Sequence, residues 1–186
     1  MFRRIVLAGV LALATSTSYA AFSYDYLEIG AGEVDEGDAL FANASKKVGP
    51  NLFILGGAYM VDSGLSLGSY DGEGFYLEGG LGYYLPMAPE ADVYASAQVL
   101  YANLDVPGDD DDLGYMTRLG IRYTPVARVE LEGSMALSGN DLLIDDGLGF
   151  GGSARYQLTP AFSVAVGYTQ DTELDGAFFN VRYNLD

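Results

Sequence analysis

Apolar and polar side chains alternate along most of this chain, with a period of two, in about ten segments. The segments run roughly over 22–32, 38–47, 52–61, 74–85, 92–104, 114–124, 128–138, 148–158, 161–170 and 176–185. In the sixth, Tyr115, Thr117, Leu119, Ile121 and Tyr123 fall on one face, and Met116, Arg118, Gly120 and Arg122 on the other. In the seventh, Val129, Leu131, Gly133, Met135 and Leu137 stand against Glu130, Glu132, Ser134 and Ala136. The last three repeat the pattern, with Phe150 to Leu158, Phe162 to Tyr168 and Ala177 to Leu185 supplying apolar rows. Period two predicts strands, because a helix would scatter these rows around its axis. Only Leu52 to Val61 is apolar on both faces, so alternation does not choose its parity.

Each segment is close to the 9–11 residues with which a tilted strand crosses a bilayer. The rows of Tyr, Phe, Leu and Val lie opposite a face that holds charges. A soluble barrel would turn its apolar row inward, so the pattern predicts an all-β, closed, antiparallel up-and-down transmembrane barrel of about 10 strands, with 8 as the alternative. Tyr83, Tyr101, Tyr115, Tyr123 and Tyr183 stand near strand ends, where an interfacial aromatic girdle belongs. Composition supports the closed form. The chain is 49% hydrophobic, yet beyond its first residues no apolar run is long enough for a spanning helix, and lipid leaves the closed barrel as the other way to pair every backbone group.

Arg3 and Arg4, the apolar run Ile5 to Ala14 and the sequence Ser18-Tyr19-Ala20 form a secretory signal with a small-x-small cleavage site. Residues 1–20 therefore read as a cleaved signal peptide and 21–186 as a single barrel domain. The absence of cysteine removes disulfides and thiolate metal sites.

Short turns are expected at Val48-Gly49-Pro50, Pro86 to Pro89, Thr124 to Ala127 and Thr159-Pro160-Ala161, and longer Gly-rich acidic connections near 33–37, 62–73, 105–113, 139–147 and 171–175. Short turns face the periplasm in outer-membrane barrels, so the acidic loops read as extracellular and both termini as periplasmic. Beyond the leader, seven basic residues face 26 acidic ones, a net charge of −19. Eighteen of the acids fall in the long connections, counting Asp38 at the edge of the first, and no basic residue does.

The segment pattern and signal resemble the small outer-membrane β-barrel superfamily that includes OmpA and OmpX, over the whole chain beyond the leader. That resemblance implies an integral protein of a Gram-negative outer membrane, in contact with lipid and lipopolysaccharide and inserted by the barrel-assembly machinery. Ser23-Tyr24-Asp25-Tyr26-Leu27-Glu28-Ile29-Gly30, and Pro50-Asn51-Leu52 leading into Gly56-Gly57-Ala58-Tyr59, resemble opening strands of small outer-membrane barrels of plant-associated bacteria. The chain ends Tyr183-Asn184-Leu185-Asp186, whereas such barrels commonly end in an aromatic residue that resembles an insertion signal.

On the lumen face fall four basic residues, Arg118, Arg122, Arg155 and Arg182, and four acids, Glu28, Glu78, Glu130 and Glu132. Keeping both apolar rows outward sets Arg122 opposite Glu130, and closing the last strand on the first brings Arg182 towards Glu28. Two readings follow: a balanced ion-pair network that plugs the barrel, or a narrow pore whose charged rows select solutes. Surface adhesion through the loops is a third. With no histidine, the usual bases for lipid deacylation or proteolysis are missing, and Glu130 and Glu132 read as ion-pair partners, so no enzyme is expected. The acidic charge disfavours nucleic acid. No cofactor is implied beyond weak Ca²⁺ or Mg²⁺ binding by Asp105, Asp109, Asp110, Asp111 and Asp112, ions that also bridge lipopolysaccharide phosphates. Binding there predicts a higher melting temperature in millimolar Ca²⁺, and an unchanged one removes the idea.

Overall fold

The computed structural model describes residues 22–34, 37–63, 72–104, 111–140, 144–170 and 176–185. They form ten strands: β1 (Tyr26–Val34), β2 (Gly37–Lys47), β3 (Leu52–Ser63), β4 (Gly72–Ala88), β5 (Ala91–Leu104), β6 (Asp111–Val126), β7 (Val129–Asn140), β8 (Ile144–Gln157), β9 (Phe162–Gln170) and β10 (Gly176–Asn184). Each strand pairs antiparallel with its successor, and β10 returns to β1 from Tyr26↔Asn184 to Gly32↔Phe178. The sheet is thus a closed up-and-down barrel of ten strands, not eight, and closure leaves no unpaired edge.

The two faces are as the alternation predicts. Leu27, Ile29, Leu81, Val99, Leu119, Ile121, Phe150, Val166 and Phe179 project from the outside with large exposed areas, while charged side chains turn inward. Towards the short-turn end Phe162 and Tyr183 pack ring to ring at 4.9 Å, and towards the other end Phe75 meets Tyr101 edge-on at 6.2 Å. This is a barrel turned inside out, suited to hydrocarbon on its exterior.

β3, whose parity alternation leaves open, sends Phe53, Leu55, Tyr59 and Val61 inward. Its inner row is apolar because it joins a lumenal cluster of Ala39, Val61, Tyr76 and Ala102, with Tyr59 packed against it. Strands also run further than the crossing length predicts. Glu33, Asp38, Asp62, Glu73, Asp111 and Asp112, expected in loops, lie on paired strand extensions, and Asp145 and Asp146 fall within β8 where its register with β7 shifts. Pairing beyond the apolar belt continues to satisfy the backbone, so hairpins grow past the bilayer thickness. At the other end Pro86, Met87 and Ala88 extend β4 through a bulge, and Thr124 to Val126 extend β6, which shrinks the turns to 89–90 and 127–128. In the second turn Arg128 adopts φ 71°, a left-handed conformation that L side chains rarely take.

Lumenal rings lie flat on glycines of a neighbouring strand. A methyl group added at Gly82 would overlap the Phe53 ring, and one at Gly120 would overlap the Tyr94 ring; Gly30 under Phe41 and Gly167 under Phe178 repeat the arrangement. These glycines let aromatic side chains lie along a narrow bore. Gly120→Ala should therefore destabilise the barrel by about 1–3 kcal/mol in urea unfolding. The same substitution in a Tyr94→Ser background should cost far less, and equal losses in both backgrounds would refute the ring contact as the cause.

Candidate functional site

The lumen is where this chain concentrates its buried chemistry. Glu28 on β1 faces Arg182 on β10 in register, and Arg182 Nε donates to Glu28 Oε2 at 2.9 Å. The same oxygen accepts from Arg155 Nη2 at 2.6 Å, although Arg155 stands on β8 with β9 and β10 between. Arg155 Nη1 also donates to Ser163 Oγ at 3.2 Å, and the Arg182 guanidinium lies 3.8 Å from the centre of the Tyr26 ring. All three charged side chains are buried. A charge in so narrow a bore has little water, so the arrangement persists because each ion has an opposite partner in hydrogen-bonding geometry.

Nearer the short turns, Arg122 Nε and Nη2 both reach Glu130 Oε1 at 2.9 Å. Register sets Arg122 opposite Glu132, not Glu130, because the strands pair on to a two-residue turn at 127–128, with β6 bulging by one residue between Tyr123 and Val126. Pro125 lies in that bulge and has no N–H to give to the ladder, while the Thr124 N–H is drawn to the Glu90 carbonyl of the neighbouring hairpin. The expected partner is right and the expected register is two residues off: the ion pair is diagonal.

The segment before β1 folds into this end of the lumen. Tyr24 is 3% exposed; its ring stacks on Tyr84 at 4.2 Å and packs against Phe53 at 4.7 Å. Its hydroxyl donates to Asp92 Oδ2 at 3.0 Å, and its carbonyl accepts from Ser45 Oγ at 2.8 Å. Arg122 Nη1 donates to the Ser23 carbonyl at 3.2 Å, with its guanidinium 4.8 Å from the ring centres of both Phe22 and Tyr24. Asp25 accepts from the Lys47 N–H at 2.6 Å and pairs with Lys46 at 3.5 Å. Burial raises the Tyr24 phenol above its usual range, Arg122 opposing, so the hydroxyl remains a donor to Asp92.

Above this floor Tyr59 donates to Glu78 Oε1 at 2.9 Å, and the Tyr94 hydroxyl donates to Glu132. Arg118 stands between these carboxylates; among the described residues none lies within 4.0 Å of it, and its Nη2 donates to Met116 Sδ at 3.3 Å. A cavity of about 270 Å³ extends from Tyr24, Phe53 and Arg122 up to Gly32, Val61 and Thr169, next to the points where the long loops depart.

All eight predicted lumen charges face inward, and the structure joins five of them in ion pairs; Arg118 bonds to sulfur instead, and Glu78 and Glu132 to tyrosines. Asp92, Tyr24, Asn43 and Asn180 are lumenal residues that the charge reading passes over. Asp92 shares parity with Ser96 and Gln98 on β5, which was the available signal. Of the acidic loop run, Asp105, Asp109 and Asp110 lie outside the described residues, and Asp111 and Asp112 open β6. Among the described residues no three acidic side chains gather to hold a metal ion.

A double-mutant cycle should separate contact from register. Arg122→Ala with Glu130→Ala should couple by roughly 0.5–3 kcal/mol in urea unfolding, and Arg122→Ala with Glu132→Ala by less. The reverse order would refute the diagonal pair. Glu28→Leu should be the most damaging single change in the lumen, by about 3–5 kcal/mol, since it leaves two guanidiniums buried without their carboxylate.

Comparison with known proteins gives likeness of shape without likeness of sequence. No protein-family model and no curated protein matches the chain. Among solved structures, the KdgM porin superimposes with a TM-score of 0.50 at 7% identity, covering 87% of this chain and 99% of the porin, and so does the KdgM porin in complex with disordered oligogalacturonate. Neisserial surface protein A (NspA) gives a TM-score of 0.44 at 13% identity over 86% of this chain and 96% of its own. At 7% identity the likeness to KdgM is one of fold, and the chain accordingly has the fold of a porin-like outer-membrane β-barrel.

Proposed function

We propose that this chain is an integral protein of a Gram-negative outer membrane whose barrel is closed to solutes and whose role is structural or interactive, through its acidic loops. The observation that carries this reading is the floor of the lumen. Phe22 to Asp25 occupy the short-turn mouth, held by β2, β3, β4, β5 and β6. Support for the membrane comes from the apolar exterior and the aromatic bands. In this reading residues 1–20 are removed on export, the short turns and the Phe22 to Asp25 segment face the periplasm, and lipopolysaccharide surrounds the loop-bearing end. The chain is assigned no catalytic role, since its carboxylates are engaged by arginine or tyrosine and it has no histidine. The assignment to small barrels of the OmpA and OmpX type rests on the segment pattern, and insertion by the assembly machinery on Tyr183 in its alternating position.

A narrow channel is the second reading, favoured by the cavity along the bore and by the shape shared with a porin. A polyanion such as the oligogalacturonate bound by KdgM suits this lumen poorly, because with Asp92 its acids outnumber its arginines five to four and its loops add further negative charge. Single-channel recording on the refolded protein in a planar bilayer distinguishes the two readings. Folded wild-type protein should give no resolvable steps, and Tyr24→Ala, which removes the stacked ring and the Asp92 bond, should introduce them. Steady steps from wild-type protein would make the lumen a pore and Arg118, Arg122, Arg155 and Arg182 its selectivity residues.

A further inference from the structure

The upper lumen carries acceptors that the protein itself does not satisfy. Asn43 Oδ1 and Asn180 Oδ1 are buried with no hydrogen-bond partner, and both side chains line the cavity; Asn180 is 3% exposed. Asn43 on β2 stands in register with Glu28, and Asn180 on β10 with Gly30, so the two flank β1 on opposite sides. Asn43 Oδ1 converges with Glu78 Oε1 over Gly57, where an added methyl group would meet both oxygens. An acceptor without a donor in a low-dielectric bore is unfavourable, so a ligand that brings N–H groups removes a standing cost.

Rings complete the site. Phe41, two residues from Asn43, meets Phe178, two residues from Asn180, edge to face at 6.2 Å, and Tyr59 lies across Phe41 at 5.8 Å. Aromatic faces attract cations as the amide oxygens do. The two acceptor stations are separated by β1, two strand spacings or roughly 10 Å at the backbone, and less at the inward tips. The charge outside has the matching sign, because the long connections and the strand ends that lead into them carry 18 acids and no base, which raises the local concentration of cations.

We propose that the lumen is a binding cup for a short aliphatic diamine in its doubly protonated form, entered from the loop-bearing end. One ammonium is held by Asn43 and Glu78 over Gly57, the other by Asn180, with the methylene chain lying across the paired Phe41 and Phe178 rings. Arg155 and Arg182, beside Asn180, share Glu28, and the one positive charge left over is balanced across the bore by the surplus carboxylate of the Glu78, Arg118 and Glu132 group. The site does not depend on the lumen being shut, so a conducting barrel would leave the proposal standing.

The test is titration calorimetry of the refolded full chain beyond the leader in neutral detergent, with heat-shifted gel mobility as proof of folding. The probes are 1,4-diaminobutane, 1-aminobutane, 1-butanol and succinate. The diamine should bind tightest, with the monoamine weaker by about tenfold or more, as loss of a charged hydrogen bond implies, and the alcohol and dicarboxylate silent. Asn43→Leu and Asn180→Leu should each reduce diamine binding to the level of the monoamine, and alanine at either position serves if leucine disturbs folding. Equal affinity for monoamine and diamine, binding of succinate, heats unchanged in folded variants, or no heat with the diamine would each overturn the proposal.

Discussion

One carboxylate holding two guanidiniums sets the terms for this barrel. Glu28 receives Arg182 across the seam where the last strand meets the first, and Arg155 across a chord from β8. The seam is the one pairing that no connecting turn or loop can guide, because its strands lie at opposite ends of the barrel sequence. Slipping it by one residue would turn Arg182 out into the apolar belt and leave Glu28 with Arg155 alone. The ion pair thus specifies closure, and specification is a more secure role for it than net stability, since desolvation offsets much of a buried pair's attraction.

Much of this was legible in the chain because the bilayer and the pleat impose simple rules. Ten segments, the parity of all but β3, four short turns and the inward position of eight charges follow from period two and crossing length. What escaped has local causes. The Arg122–Glu130 pair was readable, but its register was not: the strands pair on to a two-residue turn at 127–128 and the bulge at Thr124-Pro125 shifts the ladder by one residue, neither of which alternation encodes. The Arg155–Glu28 contact joins strands that are not neighbours, so it depends on the curvature of the closed sheet, which no pairwise alternation encodes. Tyr24 escaped because it precedes the first alternating segment, and its burial is decided by the gap that Phe53, Tyr84 and Asp92 leave at the mouth.

Glycine decides how the remaining space is filled. Where Phe53 and Tyr94 lie down on Gly82 and Gly120, the rings fit in a bore that could not hold them against Cβ atoms. That packing joins the Tyr24 floor at the short-turn end. On the β5 to β7 wall Leu100, Met116 and Ala136 form a small apolar core, which narrows the void on that side although all ten strands line it. The lumen is therefore neither a uniform pore nor a uniform plug, but dense at one end and one wall and hollow elsewhere.

The same asymmetry appears in the charge. Lys46, Lys47 and Arg128 stand beside the short turns, the middle of the bore is close to neutral, and acids crowd the opposite end. A cation approaching along the axis meets attraction first, then a cavity whose unpaired groups are chiefly amide and carboxylate oxygens, then Arg122 at the floor. An anion meets repulsion at the entrance and finds three of the four arginines held by glutamates. Arg118, set between Glu78 and Glu132 without touching either, is the exception, and flanking carboxylates leave its surroundings negative on balance. Sign discrimination in this barrel is thus built into both the rim and the wall, whether or not anything passes the floor.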